Sequence, residues 1–180
     1  MKGKIIIALL IVAVIVGAGY GSFRAKKQYV ERTAIAESRG DFATAIKQFN
    51  KVVFIEQLNP VNMGKPTAAA HIYRGRLYFN NGEVNKALED LNAAIKIDKK
   101  NAEAHFGIAL IRLQEGDLKQ AEKELTIVIK ENPKWVEPYL SRSVAYRKLG
   151  EKEKAVADLE KALKLDPKNV AAKTALDFLE

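Results

Sequence analysis

Three glycines at a constant spacing of 34, Gly82, Gly116 and Gly150, constrain this chain more than any other feature. Five residues after each stands an alanine (Ala87, Ala121, Ala155), and seven residues further a small or branched residue (Ala94, Val128, Ala162). A fixed period of this length signals one supersecondary unit stacked along the chain, because a single unit is too small to bury its own apolar face. The period defines three units, 68–101, 102–135 and 136–169. A looser copy over 24–59 is placed by Gly40, with Tyr29, Ala45, Phe49 and Val52 at the matching positions. The interval from Gly40 to Gly82 exceeds the period by eight, so eight residues are inserted. The segment 60–67, with two prolines and a glycine, accounts for them and reads as a loop.

Within each unit the spacing predicts two helices. Ala87, Leu88, Leu91, Ala94 and Ile95 make one buried stripe at intervals of three and four. Asn81-Gly82 and Glu115-Gly116 end first helices by giving glycine the left-handed cap position. Pro133 and Pro167 close second helices, which proline cannot continue. The expected helices are 24–39, 42–57, 68–81, 84–97, 102–115, 118–131, 136–149, 152–165 and 170–179. The last of these, within 170–180, has the place of a capping helix. Leu176 and Leu179 would pack inward, and an exposed Phe178 would make that end a contact site.

Numbered within the units, large residues recur at positions 4, 7 and 11 and small ones at 8, 20 and 27. The first unit supplies His71, Gly75, Tyr78, Ala87, Leu91 and Ala94. The second supplies His105, Ile108, Ala109, Ala121, Leu125, Val128 and Pro133, and the third Tyr139, Ser143, Tyr146, Ala155, Leu159, Ala162 and Pro167. This pattern resembles the tetratricopeptide repeat (TPR) family. Arg74, Arg112 and Arg142 depart from it at usually apolar positions, and Lys99 stands where proline is common. The resemblance implies an all-α, right-handed solenoid of helical hairpins: three clear repeats, a degenerate one before them and a C-terminal capping helix.

One transmembrane helix is expected before the solenoid, in residues 1–23. Ile5–Val16 is uninterruptedly apolar, and the uncharged run continues to Phe23. Nineteen helical residues span about 28 Å, close to the roughly 30 Å of a bilayer core. Lys2 and Lys4 precede the run; Arg24, Lys26 and Lys27 follow it. A signal anchor spanning 5–23 is the preferred reading; the alternative is a cleavable signal peptide with Val16-Gly17-Ala18 as its small-residue site. The short lysine-bearing head places the repeats on the extracytoplasmic side of an inner membrane, with the cytoplasmic side as the alternative. The anchor also explains the charge. Of the net +8, residues 1–27 carry five basic residues and no acidic one, leaving 25 basic against 22 acidic residues elsewhere. That remainder is too balanced for a nucleic-acid-binding face.

No cysteine is present, which removes disulfides, thiolate metal sites and cysteine nucleophiles. The two histidines, His71 and His105, share position 4 with Tyr29 and Tyr139, so a packing ring explains all four where a metal site explains two. The carboxylates, as in Glu89/Asp90, Glu122/Glu124 and Asp158/Glu160, read as solvated helix faces or partners of lysines four residues away. No enzyme activity, cofactor or metal is expected.

Function then falls to the concave face that the family resemblance implies, lined by the first helix of each repeat. The candidate partner-binding residues are Tyr73, Arg76, Phe79, Asn80, Phe106, Leu110, Leu113, Val144 and Arg147. An apolar strip rimmed by arginine suits a peptide or amphipathic helix from a protein partner. Family members that clamp a peptide C-terminal carboxylate need lysine and asparagine where Ile72, Arg76 and Gly107 stand, or where Val30, Ala34 and Tyr73 stand if counting begins one unit earlier; that mode is disfavoured. The expectation is a membrane-tethered protein–protein interaction adaptor in assembly of a membrane or envelope complex. The alternative is a structural scaffold, a homo-oligomer formed through the anchor or the solenoid surfaces.

Overall fold

The computed structural model describes residues 23–58 and 66–179. The chain divides into two compact units, Met1–Ala70 and His71–Glu180. Every regular element among the described residues is an α-helix: α1 (residues 23–38), α2 (Phe42–Gln57), α3 (Ala68–Asn80), α4 (Val84–Ile97), α5 (Ala102–Glu115), α6 (Leu118–Glu131), α7 (Val136–Lys148), α8 (Lys152–Leu165) and α9 (Val170–Asp177). Their ends fall within two residues of the sequence expectation. The anchor expected over 1–23 lies outside the described residues except for Phe23, as does most of the expected 60–67 loop. Among the described residues no helix is long and apolar enough to cross a membrane.

In the first unit α1 and α2 form an antiparallel hairpin. Gly40 turns the chain at φ 72°, a conformation that costs glycine little. Asp41 then caps α2, its carboxylate accepting from Thr44 N at 3.0 Å. That backbone hydrogen bond holds the Asp41 carboxyl below its ordinary pKa. Thr33 and Ala36 of α1 are buried, as are Ala45, Ile46, Phe49, Val52 and Val53 of α2. At the other end of the hairpin Lys26 Nζ lies 2.7 Å from Glu56 Oε1. The second Glu56 oxygen accepts from the Thr67 hydroxyl at 3.2 Å, and the Thr67 Oγ1 accepts in turn from Ala70 N at the start of α3.

The second unit repeats one packing solution. Ala87, Ala121 and Ala155 are fully buried, as are Ala94, Val128 and Ala162. Leu91, Leu125 and Leu159 fill the space between them, none more than 3 % exposed. Each buried leucine contributes roughly 1.5–3 kcal/mol, while the small side chains let the two helices of a hairpin approach closely. Two glycines serve the same end around Leu91. A Cβ on Gly75 would lie 3.2 Å from Leu91 Cγ, and one on Gly107 would lie 3.0 Å from both Leu91 methyl carbons. Gly107 therefore faces the preceding repeat.

The last described helix packs as anticipated. Tyr139, Leu159, Ala162 and Ala172 form a buried cluster, with Leu176 and Leu179 of the α9 segment packed against it. α9 also starts like α5. Asn101 and Asn169 adopt nearly identical capping geometry (φ −63°, ψ 102° and φ −65°, ψ 104°), and each accepts from the backbone N–H three residues on. α9 thus occupies the place of a first helix in a further repeat.

Candidate partner-binding groove

The nine candidate groove residues all lie in the second unit, on the first helices α3, α5 and α7. Arg76, Asn80, Leu110, Val144 and Arg147 are exposed, whereas Tyr73, Phe79, Phe106 and Leu113 are half-buried. Leu110 and Val144, each 36 % exposed, stand one period apart on helices that touch one another directly. An exposed leucine and valine at the same place on neighbouring first helices make a continuing apolar strip.

Two of the aromatics are held by neighbours. The Arg76 guanidinium stands over the Tyr73 ring, 4.8 Å from its centroid. The Phe106 ring packs against Trp135, with centroids 4.7 Å apart and planes tilted by 51°. Trp135 precedes α7 as its N-cap residue. Sequence reasoning passed over this tryptophan, since nothing in the helical period assigns a loop residue to a face. The sequence marks Phe178 as an exposed contact at the C-terminal end and does not count it with the groove residues. Phe178 is 80 % exposed and follows Val144 by one further period, so it occupies the same repeat position as Leu110 and Val144. The signal was the period itself, carried one step further.

The carboxylates require a correction. Asp90, Glu124 and Asp158, read from the sequence as surface groups, are buried. They too are spaced by 34, and each points from a second helix back to the first helix of its own hairpin. Asp90 takes Arg74 Nε at 2.7 Å and Nη2 at 2.8 Å, with His71 Nδ1 at 2.8 Å. Asp158 takes Arg142 in the same two-pronged way. These hydrogen bonds raise both guanidinium groups above their ordinary pKa, against the opposing effect of burial. Arg74 and Arg142, at usually apolar repeat positions, are therefore each one half of a recurring ion pair, whereas Arg112 meets Glu115 of its own helix.

The histidines belong to the same network. His105 Nδ1 lies 2.6 Å from Glu124 Oε2 and its Nε2 lies 3.0 Å from the Lys99 carbonyl oxygen, so each ring nitrogen faces a protein oxygen. Among the described residues no three His, Asp or Glu side chains cluster to hold a metal ion.

The second repeat departs from its neighbours. In the first and third, an arginine and a lysine flank one tyrosine ring: Arg74 and Lys86 about Tyr78, Arg142 and Lys154 about Tyr146. The corresponding residues of the second are Ile108, Gln120 and Arg112. The side-chain stack is missing there, and a polar cleft of about 510 Å³ opens between α4, α5 and α6, bordered by Asn92, His105, Arg112 and Glu124.

Two family profiles match the chain, one described as TPR repeat over residues 75–116 and one as Tetratricopeptide repeat over 136–169. No curated protein matches it. Among solved structures, the TPR domain of Arabidopsis OM64 is 30% identical, with 63% of this chain and 93% of that one covered and a TM-score of 0.60. A MamA fragment, residues 41 to the end, from Desulfovibrio magneticus RS-1 is 19% identical, covers 86% of this chain and 83% of its own, and gives a TM-score of 0.71. The first TPR of Spaghetti (RPAP3), bound to the HSP90 peptide SRMEEVD, is 23% identical, covers 63% and 90%, and gives a TM-score of 0.61.

Proposed function

The chain belongs to the tetratricopeptide repeat family, and on that premise we propose that it is a membrane-tethered, non-catalytic adaptor that binds a protein partner along α3, α5 and α7. The observation that carries this reading is the exposed Leu110–Val144 strip on two touching first helices. An apolar strip repeated at the pitch of the solenoid matches a ligand with recurring apolar side chains, such as an amphipathic helix or an extended segment. Arg76 and Arg147 near its ends supply polar contacts. One similar TPR domain holds an HSP90 peptide. In this chain Ile72, Arg76 and Gly107 replace the polar residues of a carboxylate clamp, so recognition rests on the ligand's apolar side chains instead.

The uncharged run through Phe23 and its basic flanks support a signal anchor over 5–23, with the repeats on the extracytoplasmic face of an inner membrane. Tethering concentrates the groove at the membrane, which suits assembly of a membrane or envelope complex. The direct test is Arg76→Glu with Leu110→Glu, followed by co-purification of partners from membranes. Unchanged recovery with an intact helical spectrum sinks the groove. Protease accessibility in intact cells against spheroplasts reports the side of the membrane.

A second reading, a self-associating scaffold, draws on α9. Val170 and Phe178 there are 74 % and 80 % exposed, an apolar surface at the end of the described solenoid. Light scattering of the detergent-solubilised chain decides: the mass of one copy at high concentration removes this reading.

A further inference from the structure

We infer that the end of the first hairpin, where α1 begins and α2 finishes, is a lipid-docking surface seated in the headgroup region of an anionic bilayer; the inference rests on the reading of residues 5–23 as a membrane anchor. Three large apolar side chains stand exposed at that end: Phe23 at 67 %, Phe54 at 59 % and Leu58 at 63 %. The contact of Lys26 Nζ with Glu56 Oε1 at 2.7 Å fixes the first turn of α1 beside the last turn of α2, so the three belong to one end of the hairpin. Residues 23–27 and 54–58 also contain Arg24, Lys26 and Lys27 against one carboxylate, Glu56, which is already paired with Lys26.

The chain that precedes this end identifies what covers it. The uncharged run that starts at Ile5 ends on Phe23, so where that run leaves a bilayer, Phe23 lies at the interface. Its neighbours at the hairpin end lie within a helical turn or so of that depth, since a helix rises only about 1.5 Å per residue. Exposed aromatic and aliphatic side chains mixed with lysine and arginine, and nearly free of carboxylates, are the composition that headgroup depth favours. An excess of cations meets the negative surface potential of anionic lipid. The opposite end of the hairpin, the turn around Arg39 and Gly40, lies about 22 Å away along α1, and the helix ends beside it expose one large apolar side chain, Ile35 at 51 %, against three at the near end. The first hairpin is thus a base that rests on the membrane and not a domain on a free leash.

The absence of native cysteine makes the test clean. The full chain carrying Gln57→Cys or Arg39→Cys is labelled with an environment-sensitive fluorophore and reconstituted into vesicles of equal parts phosphatidylcholine and phosphatidylglycerol, with brominated acyl chains as quencher. The label at 57 is expected to be quenched, and the label at 39 to keep its full emission. Adding Phe54→Glu and Leu58→Glu to the Gln57→Cys chain abolishes the quenching, while the chain still floats with the vesicles and keeps its helical spectrum. A chain that floats while its label at 57 escapes quenching overturns the docking surface and leaves the anchor standing. A chain that does not float overturns the anchor, and the docking surface with it. A blue-shifted emission at 57 without bromolipid quenching means a protein contact, from a second copy or a partner, and overturns the proposal.

Discussion

The Arg142 guanidinium lies against the Asp158 carboxylate with Nε 2.8 Å from Oδ2 and Nη2 2.8 Å from Oδ1, joining α7 to α8 through two parallel hydrogen bonds. The side chains are only 15 % and 8 % exposed. Removing one partner of such a pair leaves a charge that water reaches poorly, a loss of about 3–5 kcal/mol when burial is complete. Because some of the guanidinium remains solvated, Asp158→Ala is expected to lose somewhat less, about 2–3 kcal/mol, in urea denaturation. Replacing both partners, as Arg142→Met with Asp158→Leu, is expected to recover most of that loss, because no unpaired charge remains. A double variant as unstable as Asp158→Ala alone would mean that geometry beyond the ion pair is at stake.

The second repeat tests whether the pairing works as a set. Ile108→Arg alone puts a guanidinium at a site that is 5 % exposed in the native chain, and is expected to cost about 1–3 kcal/mol. Adding Arg112→Tyr, Gln120→Lys and Glu124→Asp rebuilds the stack of the first and third repeats. The four changes together are expected to return to within about 1 kcal/mol of the native midpoint, since each cation–π contact contributes about 0.5–1 kcal/mol where partly exposed. They should also close the cleft beside His105. Urea midpoints of the single and fourfold variants check this, and a fourfold variant no better than Ile108→Arg would deny that the residues act as a set.

Most of the fold was legible because its punctuation is local. Gly40, Gly82, Gly116 and Gly150 all take positive φ, which a glycine after a helical run announces without any tertiary information. Ala87, Ala121 and Ala155 were legible because close helix approach demands a small residue at one fixed place in the period. The ion pairs were hidden for a different reason. Asp90 and Glu89 are adjacent carboxylates on one helix, and only the arginine arriving from α3 separates the buried one from the exposed one. The spacing of Asp90, Glu124 and Asp158 was available, but it gains meaning only when paired with Arg74, His105 and Arg142. Of the candidate strip, Leu110 and Val144 followed from the period, whereas the support of Phe106 by Trp135 depends on how the α6–α7 loop folds back.

Gly107 sets two effects against each other. Alanine at a helix interior gains about 1 kcal/mol over glycine in backbone propensity. A Cβ there meets both Leu91 methyl carbons at 3.0 Å, and Leu91 is itself 3 % exposed and has little room to give. Gly107→Ala is therefore expected to stay within about 1 kcal/mol of the native stability, the two effects nearly cancelling. Gly107→Val adds further methyls with poor helix propensity and is expected to lose about 2–3 kcal/mol. Leu91→Ala restores room and should make Gly107→Val cost less in that background than in the native one. Equal costs in both backgrounds would show that Leu91 is not what constrains the glycine.

Trp135 turns the candidate groove into its own reporter. It is the sole tryptophan in the chain, so its emission belongs to one place, 4.7 Å from the Phe106 ring. Phe106→Ala removes that neighbour and opens the indole to water, and a red shift of emission is expected, with a stability loss of about 1 kcal/mol for the ring pair beyond the area lost. A partner segment lying along Leu110 and Val144 passes over Phe106, one turn before Leu110 on α5, and should shift Trp135 emission on titration. Leu110→Glu places a charge in the strip without touching the ring pair, so it should leave the resting emission unchanged and abolish the titration. If Leu110→Glu instead titrates like the native chain, the partner binds elsewhere and the α5–α7 strip is not its seat.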